Sequence, residues 1–156
     1  MPITRVISGG QTGPDRAALD VALQLGLACG GWCPRGRAAE DGPIDARYPL
    51  KETAGADPAE RNRRNVGDAD GTLILAGGEL TGGAALTRRV AVELGKPHLV
   101  IDPSCASTAE AVRQVRRWIE EQGIAVLNIA GPRESDSPGI YERARSLLLA
   151  LLAGNE

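Results

Sequence analysis

The chain contains no Phe and only two Trp and two Tyr among its 156 residues, so its core must be built from Leu, Val, Ile and Ala. So few rings provide no platform on which the bases of a single-stranded nucleic acid could stack. The net charge of −2, without any block of like charges, gives no electrostatic case for nucleic acid or for an anionic membrane surface. We therefore expect neither as a partner.

Cysteine and histidine are also scarce. Three cysteines, an odd number, give no disulfide framework, and Cys29, Cys33 and Cys105 are not spaced like zinc ligands. The single histidine, His98, lacks a nearby second ligand, so we expect no metal site. The longest apolar run, residues 147–153, is far shorter than the roughly 20 residues of a membrane span, and no signal peptide is visible. We expect a cytoplasmic protein.

Apolar runs alternate with segments of helical periodicity along the chain. The runs lack the alternation of a half-exposed strand, which favours a parallel sheet covered on both faces. We predict a single domain over residues 1–156, a Rossmann-like three-layer α/β sandwich with a central, mainly parallel sheet of about five strands. The polar segment 35–70 is long for a connector and is typical of a lid or binding loop. Strands are expected at 3–8, 27–32, 71–76, 98–101 and 124–129, and helices at 15–25, 58–66, 84–94, 108–122 and 138–152, with Asp57 and Ser137 as N-caps of the second and last helices.

The stretch S-G-G-Q-T-G-P-D-R, residues 8–16, joins the first predicted strand to the first helix. Glycines there let an anion approach the backbone, and the free N–H groups and the helix dipole favour negative charge. The order G-G-x-x-G is neither a P-loop nor the G-x-G-x-x-G dinucleotide motif, so it indicates no particular nucleotide. An ordinary strand-to-helix turn is the alternative. The pattern predicts a phosphate or oxyanion site formed by Gly9, Gly10, Gln11, Thr12, Gly13, Asp15 and Arg16.

Two further loops follow predicted strands. One, G-G-E-L-T-G-G at 77–83, is rich in glycine, and the other, G-P-R-E-S at 131–135, is polar. If the first and third strands are neighbours, the loops at 9–13 and 81–83 flank one cleft at the carboxyl edge of the sheet, and the third loop shares that edge. For residues 133–135 a solvated connection is the alternative. These loops add Gly78, Thr81, Gly82, Gly83, Arg133, Glu134 and Ser135 to the predicted binding residues.

Asp15 has two interpretations. As a catalytic carboxylate it would stabilise an oxocarbenium-like transition state or activate water. As a structural residue it would stabilise the start of the first helix by roughly 0.3–1 kcal/mol. Because no second carboxylate is identifiably paired with it, we favour a role at the helix start or on a ligand hydroxyl.

The arginines of the polar segment fall into two groups. Arg35 and Arg37 are either an anion clamp reaching back to the first loop or part of an exposed loop. Arg61, Arg63 and Arg64 are expected on the solvated face of a short helix.

Several motifs together resemble one known family. They are S-G-G-Q-T-G-P-D-R-A-A-L-D, G-G-W-C-P-R-G-R-A-A-E-D-G, Y-P-L-K-E-T, N-V-G-D-A-D-G-T-L-I-L, L-T-G-G-A-A-L-T and N-I-A-G-P-R-E-S. In this order they resemble the molybdenum cofactor carrier family, a circularly permuted YpsA-like branch of the SLOG, or lysine-decarboxylase-like, Rossmann superfamily. The resemblance spans nearly the whole chain. It implies a homodimer or homotetramer that binds and protects the molybdenum cofactor, a pterin with a terminal phosphate and a dithiolene-held oxo-metal.

The superfamily leaves two other functions open. Some relatives cleave the N-glycosidic bond of nucleoside 5′-monophosphates with a P-G-G-x-G-T-x-x-E loop; here the order is inverted and the acid shortened to Asp15. A nucleotide-sensing module that acts on a protein partner is the third hypothesis. Because no nucleophile–base pair or metal triad is recognisable, we expect a binding protein rather than an enzyme, with molybdopterin as ligand and a nucleotide or phosphate as the alternative.

Overall fold

The computed structural model describes residues 2–104 and 107–154, so Cys105 lies outside the described residues. The strands are β1 (Arg5–Ile7), β2 (Ala28–Gly30), β3 (Trp32–Cys33), β4 (Lys51–Glu52), β5 (Gly71–Leu75), β6 (His98–Ile101) and β7 (Val126–Ala130). The helices are α1 (Pro14–Leu25), α2 (Pro58–Asp68), α3 (Gly82–Glu93), α4 (Thr108–Gln122) and α5 (Ile140–Ala153).

Five of these strands form one parallel sheet in the order β2-β1-β7-β5-β6. The predicted Rossmann-like sandwich with a five-stranded parallel sheet is thereby confirmed. The first and third strands of the predicted set, β1 and β5, are not neighbours, because β7 pairs with both of them. Long crossover connections can bring a late strand to any position of a parallel sheet, so chain order did not reveal this one. The loop after β7 consequently lies between the other two loops.

The helices cover the two faces of the sheet. On one face, Leu73 and Leu75 of β5 belong to a large apolar cluster with residues of α1, α4 and α5. Ile74 points the other way, as alternation along a strand requires, and packs with Ala84 of α3. On that second face α2 and α3 meet through Val66 and Val90. The buried residues of these three clusters are all aliphatic, as the scarcity of aromatic residues predicted.

The segment predicted as one strand at 27–32 is divided between two sheets. Gly31 separates β2, in the main sheet, from β3, which pairs with β4. Its φ is +131°, and a Cβ there would lie 2.3 Å from the carbonyl oxygen of Ser8. The turn therefore depends on glycine, and the chain leaves the main sheet at this point.

Two helix starts differ from their predicted positions by two residues, and α1 begins at Pro14, one residue before its predicted start. Helix α3 begins at Gly82 rather than at 84. Helix α5 begins at Ile140, with Gly139 rather than Ser137 at the N-cap position. The side chain of Glu134 accepts hydrogen bonds from the N–H groups of Gly139 and Tyr141, at 2.6 and 2.9 Å, and so takes the part assigned to Ser137.

The polar segment before α2 is ordered around a small apolar cluster. Ile44, Tyr48 and Leu50 are buried against Leu19 of α1. The guanidinium of Arg37 donates to the carbonyl oxygens of Ile44, Asp45, Tyr48 and Leu50. Arg37 thus organises this segment, and each nitrogen of its guanidinium group donates to a backbone carbonyl within it.

Candidate functional site

A cavity of about 260 Å³ lies beyond the carboxyl ends of the central strands, and we call it the central cavity. All three predicted loops contribute to it. Its lining includes Gln11 and Asp15 from the first loop and α1, Gly83 and Thr87 from α3, Arg133 from the loop after β7, and Arg61 from α2.

The N-terminus of α3 forms one wall of this cavity. Its N-cap, Thr81, makes no side-chain capping hydrogen bond, and within the described first turn there is no acidic residue. A Cβ added at Gly82 or Gly83 would meet nothing within 4 Å. The first N–H groups of a helix have no intrahelical acceptor, and the dipole makes this end positive. The arrangement therefore suits an anion.

Asp15 lies in the interior of the site, with only 6% of its surface exposed. Burial raises the pKa of its carboxyl group from 3.8 to about 6, although Arg61, Arg16 and the backbone groups of Gln11 and Gly9 pull the pKa down. Buried carboxylates with raised pKa values are typical of functional sites. The carboxyl group can therefore hold or release a proton near neutral pH.

Arg61 was predicted on the solvated face of α2, and the structure places it in the site instead. It is buried, and its Nη1 donates to the carbonyl oxygen of Gly9 at 3.0 Å, while Arg63 and Arg64 are exposed as expected. The buried face of α2 consists of Arg61, Asn65 and Val66. Because two of these three residues are polar, their spacing gives no amphipathic signal, and nothing in the sequence distinguishes Arg61 from its neighbours.

Several groups of the first loop have partners within the chain. The N–H of Gly10 donates to Ser8 Oγ at 3.1 Å, and the N–H of Thr12 donates to Gln11 Oε1 at 3.0 Å. A Cβ at Gly10 would lie 2.5 Å from Leu50 Cδ1 and 3.0 Å from Ile44 Cδ1, so this glycine is packed against the small apolar cluster. The backbone N–H groups of Gly10 and Thr12 are consequently bonded within the loop itself.

Gly13 allows the first and third loops to approach each other. Its φ is +85°, and a Cβ there would lie 2.4 Å from the carbonyl oxygen of Pro132. The N–H of Glu134 also donates to Thr12 Oγ1 at 3.0 Å. These contacts fix the two loops to each other beside the central cavity.

Residues 39–42, which we call the strap, cross the first and third loops. The carboxylate of Glu40 accepts hydrogen bonds from the hydroxyl groups of Thr12 and Ser135, and from the Ser135 N–H at 3.2 Å. The Nε of Arg133 lies 3.9 Å from the same carboxylate. Hydrogen bonds from Ser135 and Thr12 lower the pKa of Glu40, so it is charged at neutral pH.

Arg16 is held by the strap as well. Its Nη1 and Nη2 donate to the two carboxylate oxygens of Asp41 at 2.9 and 3.1 Å, and its Nε donates to the carbonyl oxygen of Gly10 at 3.0 Å. This is the fork geometry that guanidinium groups also use on phosphate. The strap thus engages the one basic residue of the predicted loop.

The remaining predicted residues divide among smaller sites. Thr81 lines a second cavity of about 180 Å³, next to Asp136 and Ser137. A third cavity, about 460 Å³ and more open, lies on the other side of the first loop and is lined by Thr12, Gly13, Arg16 and Glu134 among others. The predicted residues that line none of these three cavities are Gly9, Gly10, Gly78, Gly82 and Ser135.

The described parts of the chain contain neither a candidate metal-binding cluster nor a candidate membrane-spanning helix. Residues 2–104 and 107–154 contain no group of three or more His, Cys, Asp or Glu side chains that could hold a metal ion. Within the same ranges, no helix has the length and apolar character to cross a membrane.

The sheet order and the cavity at its carboxyl edge define a Rossmann-like α/β protein, in which ligands bind at that edge. The sequence profile of the circularly permutated YpsA SLOG family matches residues 6–152. The chain therefore belongs to this family.

A solved structure is similar to nearly the whole chain. It is the crystal structure named "Putative molybdenum carrier protein" from Syntrophus aciditrophicus SB, with 45% sequence identity and a TM-score of 0.93. The match covers 97% of this chain and 96% of that one. Among curated proteins no match was found.

Proposed function

We propose that the protein binds a small phosphate-bearing cofactor and that this ligand is of the molybdenum cofactor type, which the protein carries without transforming it. The observation that carries the proposal is the convergence of three loops and an uncapped helix N-terminus on one cavity. The name of the similar solved structure supports the ligand class.

The donors around the central cavity fit the anionic end of such a ligand. The backbone N–H of Gly83, in the first turn of α3, would hold a phosphate, and Arg133 would add charge. Asp15, with its raised pKa, would accept a hydrogen bond from a ligand hydroxyl group when ionised or donate one to a ligand ring nitrogen when protonated. When bound, the cofactor supplies oxo-transfer chemistry, and this chain's residues hold it and limit its contact with water.

Thermal unfolding of the purified protein tests the proposal. The ligands are the molybdenum cofactor, molybdate, nucleoside monophosphates and inorganic phosphate. A ligand at a hundredfold its Kd stabilises the folded state by about 2.7 kcal/mol, which shifts the midpoint measurably. We expect the cofactor to give the largest shift. A shift with nucleoside monophosphates alone would contradict the carrier assignment.

A charge variant at Gly83 locates the binding position. A Cβ at this residue meets nothing within 4 Å, so the backbone has room for the Gly83→Asp substitution, and an acidic residue in the first turn stabilises the helix. Its carboxylate would compete with the ligand phosphate at the same helix N-terminus. We expect Gly83→Asp to lose the cofactor shift, and Gly83→Asn, similar in shape but uncharged, to retain most of it.

A second candidate function is hydrolysis of the N-glycosidic bond of nucleoside 5′-monophosphates. The observation that favours it is Asp15, whose pKa of about 6 and position in the central cavity suit a general acid or base. Release of free base on incubation with nucleoside monophosphates, lost in Asp15→Asn, would establish it. No release from any of the common nucleotides would eliminate it.

We also propose a homo-oligomer, as the resemblance implies. Val92, which is 65% exposed, and Leu94, 39% exposed, provide apolar surface at the end of α3. Sedimentation velocity at micromolar concentration distinguishes a monomer from a dimer or tetramer.

A further inference from the structure

We propose that the strap is an internal substitute for the ligand: Glu40 occupies an oxyanion site formed by Thr12, Ser135 and Arg133, and a tetrahedral oxyanion displaces it. This inference rests on the proposed function, because it assigns a closed state to part of the same site. It adds a second oxyanion position beside the central cavity and a means of controlling access to it.

The donors around Glu40 come from two loops that are distant in sequence. Thr12 follows β1, and Ser135 and Arg133 follow β7; three hydrogen bonds and a guanidinium meet on one carboxylate. The Glu134 N–H donates to Thr12 Oγ1, so the hydroxyl proton of Thr12 is directed to Glu40. Convergent backbone, hydroxyl and guanidinium donors are what a phosphate also requires.

The position of Asp41 supports the same interpretation. Its carboxylate accepts hydrogen bonds from both Nη atoms of Arg16. Glu40 and Asp41 are neighbours in the strap, and together they neutralise the donors on which a doubly charged anion would depend. The strap backbone is attached too, since the Glu40 N–H donates to Gln11 Oε1 at 2.9 Å.

The two carboxylate residues of the strap, Glu40 and Asp41, are held by polar contacts, while Ala39 packs against the small apolar cluster. Residues 39–42 are exposed or half-exposed, and none of the four is buried, whereas Ile44 and Leu50 anchor the following chain in an apolar cluster. Release of the Glu40 and Asp41 side chains therefore exchanges hydrogen bonds and ion pairs for those of an incoming anion, and Ala39 can stay packed on the cluster.

The small volume of the central cavity also favours displacement of the strap on ligand binding. At about 260 Å³ it is smaller than the roughly 300–1,000 Å³ of typical ligand pockets, so it accommodates a small part of a cofactor. Because Arg133 lines the cavity and also faces Glu40, displacement of the strap would extend the cavity toward Thr12 and Ser135.

Calorimetric titration of the full chain with inorganic phosphate and, in parallel, with molybdate tests the inference at constant ionic strength. The Glu40→Gln variant keeps the size of the side chain and removes its charge. Its bonds to Thr12, Ser135 and Arg133 are therefore weaker. A ligand that must first displace a closed form populated above about 90% loses about tenfold in apparent affinity. We expect Glu40→Gln to bind at least one of the two ions about tenfold more tightly than wild type. The ion with the larger gain identifies the preferred oxyanion.

The control is Glu121→Gln on α4, which removes one exposed charge away from these loops. It should bind both ions as wild type does. Equal or weaker binding by Glu40→Gln, no binding by either protein, or the same gain in Glu121→Gln would each overturn the inference. A cofactor shift in wild type together with an unchanged Glu40→Gln would overturn the strap and leave the carrier function intact.

Hydrogen exchange on the wild-type protein gives a second test that needs no variant. The N–H of Glu40 is bonded to Gln11, and the N–H of Ser135 is bonded to Glu40. With phosphate bound, the Glu40 amide should exchange faster, because the strap is released, while the Ser135 amide should stay protected by the ion. Equal protection of both amides with and without phosphate would contradict displacement.

Discussion

The guanidinium of Arg61 donates a hydrogen bond from Nη1 to the carbonyl oxygen of Gly9 at 3.0 Å, although the two residues are 52 positions apart in the chain. The same cation lowers the pKa of the buried Asp15. Arg61 therefore joins α2 to the first loop and favours the charged form of the Asp15 carboxyl group at the centre of the site.

Replacement of Arg61 by Gln should raise the pKa of Asp15 above about 6, because a nearby positive charge is lost while burial is unchanged. The Gly9 carbonyl would also lose its partner, at a cost of about 1–3 kcal/mol in the free energy of unfolding. Carboxyl carbon chemical shifts followed by NMR against pH measure the first effect. Arg63→Gln, on the exposed side of the same helix, should change neither quantity.

Asp15→Asn should stabilise the protein in a pH-dependent manner. The folded-state pKa of about 6 is above the ordinary value of 3.8, so folding favours the protonated form, and this contribution is lost as the pH rises from about 3.8 to about 6. At 1.36 kcal/mol per pKa unit, the stability of the variant relative to wild type should increase by up to about 3 kcal/mol between pH 4 and pH 7. Urea unfolding at several pH values measures the difference. A stability difference that does not vary with pH would refute the buried-acid interpretation.

Gly13→Ala should destabilise the fold strongly. The substitution combines a φ of +85° with a Cβ 2.4 Å from the Pro132 carbonyl oxygen, and strain and overpacking each cost about 1–3 kcal/mol. Gly36 is the matched control, because its φ is +84° but a Cβ there meets nothing within 4 Å. Denaturant midpoints should show a larger loss for Gly13→Ala than for Gly36→Ala.

Glu134→Ala should reduce stability by about 1–2 kcal/mol, because its carboxylate satisfies two N–H groups at the start of α5. A residue that served only to contact a ligand would not have this effect on the unliganded protein. Thermal unfolding without ligand measures the loss, and Glu121→Ala on α4 should have little effect.

Helix ends and apolar strands were predictable because local chemistry determines them. The carboxylate of Asp57 caps α2 through the N–H of Ala59, as predicted, and Gly26 ends α1 in the left-handed conformation directly after the predicted last residue. The predicted bounds of β6 and α4 are those observed. Such features involve residues within a few positions of each other.

The contacts of the site were less predictable because they join distant parts of the chain. Glu40 lies 28 positions from Thr12 and 95 from Ser135, and neither separation leaves a pattern in the sequence. The loops themselves were located, since glycine after an apolar run indicates a strand-to-helix turn. The strand order was not predicted, so the structure was needed to show which loops are neighbours.

The central position of the last strand has a consequence for synthesis on the ribosome. Until residues 126–130 have left the ribosome, β1–β2 and β5–β6 are two separate pairs, each with an unpaired edge where β7 will insert. The nascent chain therefore cannot complete this sheet before β7 has been made, and the two open edges are the places at which an unfinished chain would associate wrongly.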